Sequence, residues 1–146
     1  MMTRMMVVCA LVAIVFFATV QAAIPNRSKE QLHADATHIS IGTVTAIYTE
    51  EVKEGQWSKT SGVVEIHVSK LEKGDKIEVG DSVYARFWNE AWIGKGDPPP
   101  FGSGHHLPKK CDTVRVYLKK ANGRYDALLP NGFETITNSP ESKTAP

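Results

Sequence analysis

The sequence predicts an all-β fold: a small barrel of five to six antiparallel strands, preceded by a short N-terminal helix and interrupted by a long insertion between strands 3 and 4. Three observations predict it. Apolar residues recur at alternate positions in several short segments between 38 and 136. Turns rich in glycine, asparagine or proline separate those segments. No long helical period and no internal repeat competes with the alternation. Short antiparallel strands in one small domain need closure to hide their edges, and a partly open barrel with a bent, shared first strand provides it.

The elements follow in order. Ser28-Lys29-Glu30-Gln31 has capping-box spacing and predicts a helix over about 29–36, with Leu32 and Ala36 on one side. HISIGTVTAIY (38–48) alternates as Ile39, Ile41, then Val44, Ala46, Tyr48. The slip at Gly42-Thr43 keeps that set on one face only if a β-bulge sits there. EEVKEGQ (50–56) reads as a charged turn. GVVEIHVSKLEKG (62–74) turns Val64, Ile66 and Val68 inward, and SVYARFW (82–88) does the same with Val83, Ala85 and Phe87. DTVRVYLKK (112–120) buries Val114, Val116 and Leu118. Ala121-Asn122-Gly123-Arg124 is a hairpin signal, because asparagine and glycine tolerate positive φ. RYDALL (124–129) returns, Pro130-Asn131-Gly132 turns again, and FETI (133–136) is a short last strand.

The stretches HADATHISIGTVTAIY, VVEIHVSKLEKG, VGDSVYARFW and DTVRVYL resemble the OB-fold barrel of netrin-like and metalloproteinase-inhibitor-like secreted domains. The pattern GKG…PP…SGH…LP within the insertion, with the PNGFE ending, resembles a family of small exported bacterial proteins of unknown function. The resemblance covers about residues 30–136 and implies an OB-like barrel. Inhibitors of this fold chelate a zinc ion through an N-terminal cysteine. A chain beginning Ala23-Ile24-Pro25 has none there, so that mechanism is not carried over.

Residues 1–22 read as a signal peptide: Arg4, an apolar run from Val7 to Phe17, and Val20-Gln21-Ala22 ahead of a cut after Ala22. That run falls short of the ~20 residues a transmembrane helix needs, and Cys9 lies too early within it for lipid attachment. The protein is therefore expected to be secreted or periplasmic, without membrane attachment once the leader is cut. Losing Arg4 leaves 16 basic residues against 16 acidic ones. A neutral chain has no long-range attraction for nucleic acid or an anionic membrane. Cys111 is left without an intramolecular partner. Residues 23–136 make one domain, and the polar 137–146 reads as a disordered tail.

The chemistry concentrates in WNEAWIGKGDPPPFGSGHHLPKKC (88–111). His105, His106 and Cys111 offer two imidazoles and a thiolate, which would suit zinc or copper in a metal-binding protein or small metalloenzyme. Alternatively, His105 hydrogen-bonds the loop and Cys111 is half-buried. A thiol–imidazole pair needs an orienting group and an oxyanion site, which no local signature announces. Gly102-Ser103-Gly104 is no nucleophile elbow, Gly94-Lys95-Gly96 no phosphate loop, and H-E-x-x-H is absent. No cofactor is expected.

Outward positions carry a different signal. Tyr84, Arg86 and Trp88 share the solvent side of the third strand, Arg115 and Tyr117 that of the fourth, and Glu65 and His67 that of the second. Aromatic and arginine side chains together suit stacking on sugars or a protein hot spot. Three prolines at 98–100 stiffen the insertion and its glycines steer it, so 88–111 is expected as an ordered flap. Trp92 or Phe101 would anchor that flap on Tyr84 or Tyr117, either extending the aromatic face or burying it as a second small core. The functional expectation is a secreted, non-catalytic binding module for an extracellular or envelope protein or a glycan, reading its ligand with Tyr84, Arg86, Trp88, Trp92, Arg115 and Tyr117.

Overall fold

The computed structural model describes residues 24–99 and 103–136. The expected leader, the tail after 136 and Phe101 lie outside the described residues. Ser28 caps α1 (Lys29–Asp35) reciprocally: its hydroxyl accepts the Gln31 amide, and the Gln31 side-chain carbonyl accepts the Ser28 amide. Two of the helix's orphan donors are thereby satisfied. Ser28→Ala is expected to cost about 1 kcal/mol, read as a drop of roughly 4 °C in thermal midpoint.

Six strands follow: β1 (His38–Glu54), β2 (Trp57–Lys73), β3 (Ser82–Trp92), β4 (Thr113–Ala121), β5 (Arg124–Ala127) and β6 (Phe133–Thr135). Their order is β1-β2-β3-β5-β4, and β4 pairs back onto β1, so five strands close an OB-like barrel while β6 adds to β4. Every pair is antiparallel except β3–β5, where Ala85–Arg86 run parallel to Tyr125–Asp126. The shared strand is β1. Its first part, Ile39–Thr43, pairs with both β2 and β4, His38 pairs with β4 alone, and beyond Thr43 only the β2 pairing continues. Register shifts at Ile39/Ser40, Ile41/Gly42 and Val44/Ala46 bend it. Glycine is required at 42, because a Cβ there would fall 2.3 Å from the His67 carbonyl oxygen.

The nine inward residues read from β2, β3 and β4 form the barrel core with Val44, Ile77, Ala127 and Phe133. Each large apolar side chain so buried contributes roughly 1.5–3 kcal/mol. A second cluster, of Leu32, Ala36, Ile39, Tyr117 and Leu128, packs α1 against the outside of the barrel. Among the described residues no helix is long and apolar enough to cross a membrane.

Several expectations are corrected. One bulge was expected in the first strand and three irregularities occur. The shift after Val44 advances the alternation by one, so Ile47 packs against the core and Tyr48 points out. Ile39 faces the helix rather than the barrel. The segment 50–56 is no broad turn: β1 and β2 continue as a ribbon to Gly55-Gln56, where Gly55 takes φ 61°. That ribbon is tied across its strands by Lys59 to Glu54 at 2.6 Å and by Ser58 to Glu51. β3 runs on to Trp92, so the insertion starts at 93 rather than 88. Tyr117, read as outward and available, is buried beneath α1.

Candidate functional site

The constant register of β2 against β3 places outward side chains in rows across the sheet. Tyr48, Val63, Arg86 and Asp126 are partners in one row, running through β1, β2, β3 and β5. Glu50, Ser61 and Trp88 form the next. Between them lies a trough of ≈ 710 Å³, lined by both rows, by the intervening Thr49, Gly62 and Phe87, and at its β5 end by His105, Ala127 and Leu129. Side chains two apart on each strand make the walls, and the residues between them make the floor. Tyr84 continues the face next to this trough, opposite Glu65.

The walls are exposed yet held. Tyr48 and Tyr84 are each about half exposed (54% and 51%), and Trp88 is 37% exposed. The Tyr48 hydroxyl donates to Glu65 at 3.0 Å, and that hydrogen bond raises its pKa above the usual phenol value. Arg86 Nε donates to Asp126 Oδ1 at 2.6 Å. The bond is made through Nε, and the N–H groups on the two Nη atoms are further donors that the guanidinium can offer a ligand.

His105 closes one end of the trough. It is 5% exposed. Its Nε2 lies 2.7 Å from the Ala127 carbonyl, and its Nδ1 lies 3.1 Å from the Trp88 amide and 2.9 Å from the Trp88 carbonyl. With Nε2–H donating to Ala127, Nδ1 accepts the Trp88 N–H. Its ring meets Trp88 and Phe133 edge to face, with centroids 6.3 and 6.2 Å apart.

His105 sits there because residues 103–105 return along β3. The Glu90 amide donates to the Ser103 carbonyl, the His105 amide donates to the Trp88 carbonyl, and Asn89 bridges Gly104. Residues 103–105 therefore close against the edge of β3, and Tyr84 and Trp88 stay partly exposed, where a flap folded over that face is one expectation from the sequence. Trp92 anchors neither Tyr84 nor Tyr117. It packs edge to face on Trp57, with centroids 5.2 Å apart.

The three proposed metal ligands do not converge. Both ring nitrogens of His105 face backbone groups, while His106 is exposed and its amide is bonded to the Pro130 carbonyl. Cys111 is exposed, where half-burial was expected, and takes φ 73° in a turn whose amide bonds the Val44 carbonyl. Among the described residues no group of three or more histidine, cysteine, aspartate or glutamate side chains could hold an ion.

Arg115 also serves structure. It donates to Glu72 at 2.8 Å and to Glu134 at 3.1 Å, while Glu134 takes Lys29 at 2.6 Å and the Tyr117 hydroxyl at 3.2 Å. This network ties α1, β2, β4 and β6 together. The Arg115 hydrogen bond lowers the Glu72 pKa, and the Lys29 hydrogen bond, with Arg115 behind it, lowers that of Glu134. Burial and Glu134 together raise that of Tyr117. Carboxylates depressed on folding stabilise the native state above their unfolded value, near 4.5, and lose that contribution as pH falls through the folded value. The stability gap between the wild type and Arg115→Gln is therefore expected to be constant near neutrality and to narrow below about pH 4.5. Urea midpoints across pH test this, and a gap that widens on acidification would refute the assignment.

No protein-family model, no curated protein and no solved structure matches this chain. The barrel assignment rests on strand order and register. Of the residues expected to read a ligand, Tyr84, Arg86 and Trp88 share the face, while Trp92, Arg115 and Tyr117 are engaged elsewhere. Sequence reasoning missed Tyr48, Glu50, Ser61, Val63 and Asp126. Val63 carried a usable signal: an apolar residue at an outward position, beside the inward Val64.

Proposed function

We propose that this protein is an exported, non-catalytic binding module that engages an extracellular or envelope ligand through the trough crossing β1, β2 and β3. One observation carries the reading: Tyr48, Arg86 and Trp88, from two strands that do not pair with each other, are brought by the β2 register to one open trough. OB-type barrels bind through the face of strands 2 and 3, and exposed aromatic and arginine side chains are the residue types that dominate binding energy. His105, the imidazole at this site, has both ring nitrogens on backbone groups, so its bonding suits holding Trp88 rather than moving protons. The leader-like residues 1–22 support export.

The test is recovery of the protein from the exported fraction, with mass spectrometry of what accompanies it, for the wild type and Trp88→Ala. Loss of the indole is expected to cost about 2 kcal/mol of binding, roughly thirtyfold in affinity. The thermal midpoint should fall much less than that of a core substitution, because Trp88 is partly exposed. Undiminished recovery of the same companion with a Trp88→Ala, Tyr48→Ala double variant would move the binding surface elsewhere.

A further inference from the structure

We propose that the trough takes a neutral, linear oligosaccharide, an inference that rests on the trough being the binding surface. Charge narrows the ligand first. Glu50 and Asp126 line the trough against the single guanidinium of Arg86, a formal balance of −1, and the Glu65 carboxylate lies beside Tyr48. A polyanion, whether nucleic acid or a uronate chain, meets repulsion here. A cationic peptide would seek Asp126, but Arg86 already holds that carboxylate at 2.6 Å and would repel the newcomer.

Shape narrows it next. The row from Tyr48 to Asp126 crosses three strand spacings of about 4.8 Å, so the wall runs about 14 Å. That is longer than one sugar ring, and the volume of ≈ 710 Å³ lies within the span of small-ligand sites. The trough is open to solvent along its length and closed at its β5 end by His105, so a chain lies along it and continues past the β1 end.

The wall chemistry then matches a saccharide. A sugar ring presents a C–H face and a rim of hydroxyls that both donate and accept. Trp88 and Tyr48 offer partly exposed rings for the C–H face. Arg86 Nη groups donate to hydroxyls, the Glu50 and Asp126 oxygens accept from them, and the Ser61 hydroxyl does either. The Arg86–Asp126 bond orients donor and acceptor side by side before any ligand arrives, which lowers the ordering cost of binding.

The test titrates the purified full chain, followed by amide NMR, with three neutral series (cello-, chito- and manno-oligosaccharides). Oligogalacturonate is the anionic comparison and oligolysine the cationic one. At least one neutral series is expected to shift the amides of 48–50, 61–63 and 86–88 saturably, with oligogalacturonate inert. Trp88→Ala and Arg86→Gln should each weaken that binding by at least about tenfold. Arg86→Gln, on an exposed side chain, serves should Trp88→Ala prove poorly folded. The proposal is overturned if no neutral series shifts these amides, if the shifts centre elsewhere, or if they survive both substitutions. If oligolysine alone shifts them, the saccharide assignment falls and the trough stands. If no probe shifts them and the exported companion is still recovered with the Trp88→Ala, Tyr48→Ala variant, both fall.

Discussion

Alanine at Gly104 is expected to destabilise the protein by between about 2 and 6 kcal/mol, although it adds a single methyl group. Two effects combine. Gly104 takes φ +131°, a conformation that costs a residue with a Cβ roughly 1–3 kcal/mol. A Cβ there would also stand 2.3 Å from the Asn89 Cα and 2.8 Å from the Trp88 carbonyl oxygen. Backbone atoms cannot swing aside as a side chain can, and overpacking of this kind costs a further 1–3 kcal/mol or so. Against a typical total of about 5–15 kcal/mol the loss is large, and the urea midpoint should fall on the order of 1–3 M. Hydrogen exchange should locate the damage. The Glu90 and His105 amides, which hold the returning chain to β3, are expected to lose protection before the β1–β2 amides do. An unchanged midpoint would mean that residues 103–105 do not lie this close to β3.

The barrel was legible in the sequence because its core is built from alternation. Val64, Ile66 and Val68, or Val114, Val116 and Leu118, can face inward in only one way. The outer half of the β1–β2 ribbon was illegible for the opposite reason. From Glu50 to Glu54 β1 is exposed at every position, so hydropathy carries no period, and only pairing with Trp57–Ser61 makes it a strand. The orientation of Tyr48 was lost with it. A register shift at Val44/Ala46 exchanges the faces of everything beyond, and no residue type there announces a bulge as Gly42 does.

Tyr117 illustrates a different loss. Alternation along β4 placed it correctly on the outer surface, but an outer surface is not an exposed one. The apolar side of α1, Leu32 and Ala36, had no assigned partner, and Tyr117 with Ile39 is that partner. An amphipathic helix beside a barrel must cover something, and the outward aromatic nearest its docking site was the candidate. The trough itself depends on which residues of four strands fall into line. That is set by register, and register is a property of pairs of segments.

Register also gives His105 two roles that substitution can separate. His105→Ala is expected to cost at least about 3 kcal/mol. It strands the Ala127 carbonyl and the Trp88 amide at roughly 1–3 kcal/mol each. It also removes two edge-to-face contacts worth about 0.5–1.5 kcal/mol apiece. His105→Phe strands the same two groups but keeps a ring against Trp88 and Phe133, so it should recover part of the loss. Binding should part the variants more clearly than stability does. With a ring still beside it, Trp88 keeps its place in the trough wall, and affinity should stay within about threefold of the wild type. With alanine the indole loses its edge partner, and the entropy of ordering it must be met on binding, which lowers affinity by about tenfold. Denaturant midpoints measure the first effect, and titration with the companion recovered from the exported fraction measures the second. Equal affinities for the two variants would mean that His105 stabilises the fold without positioning Trp88.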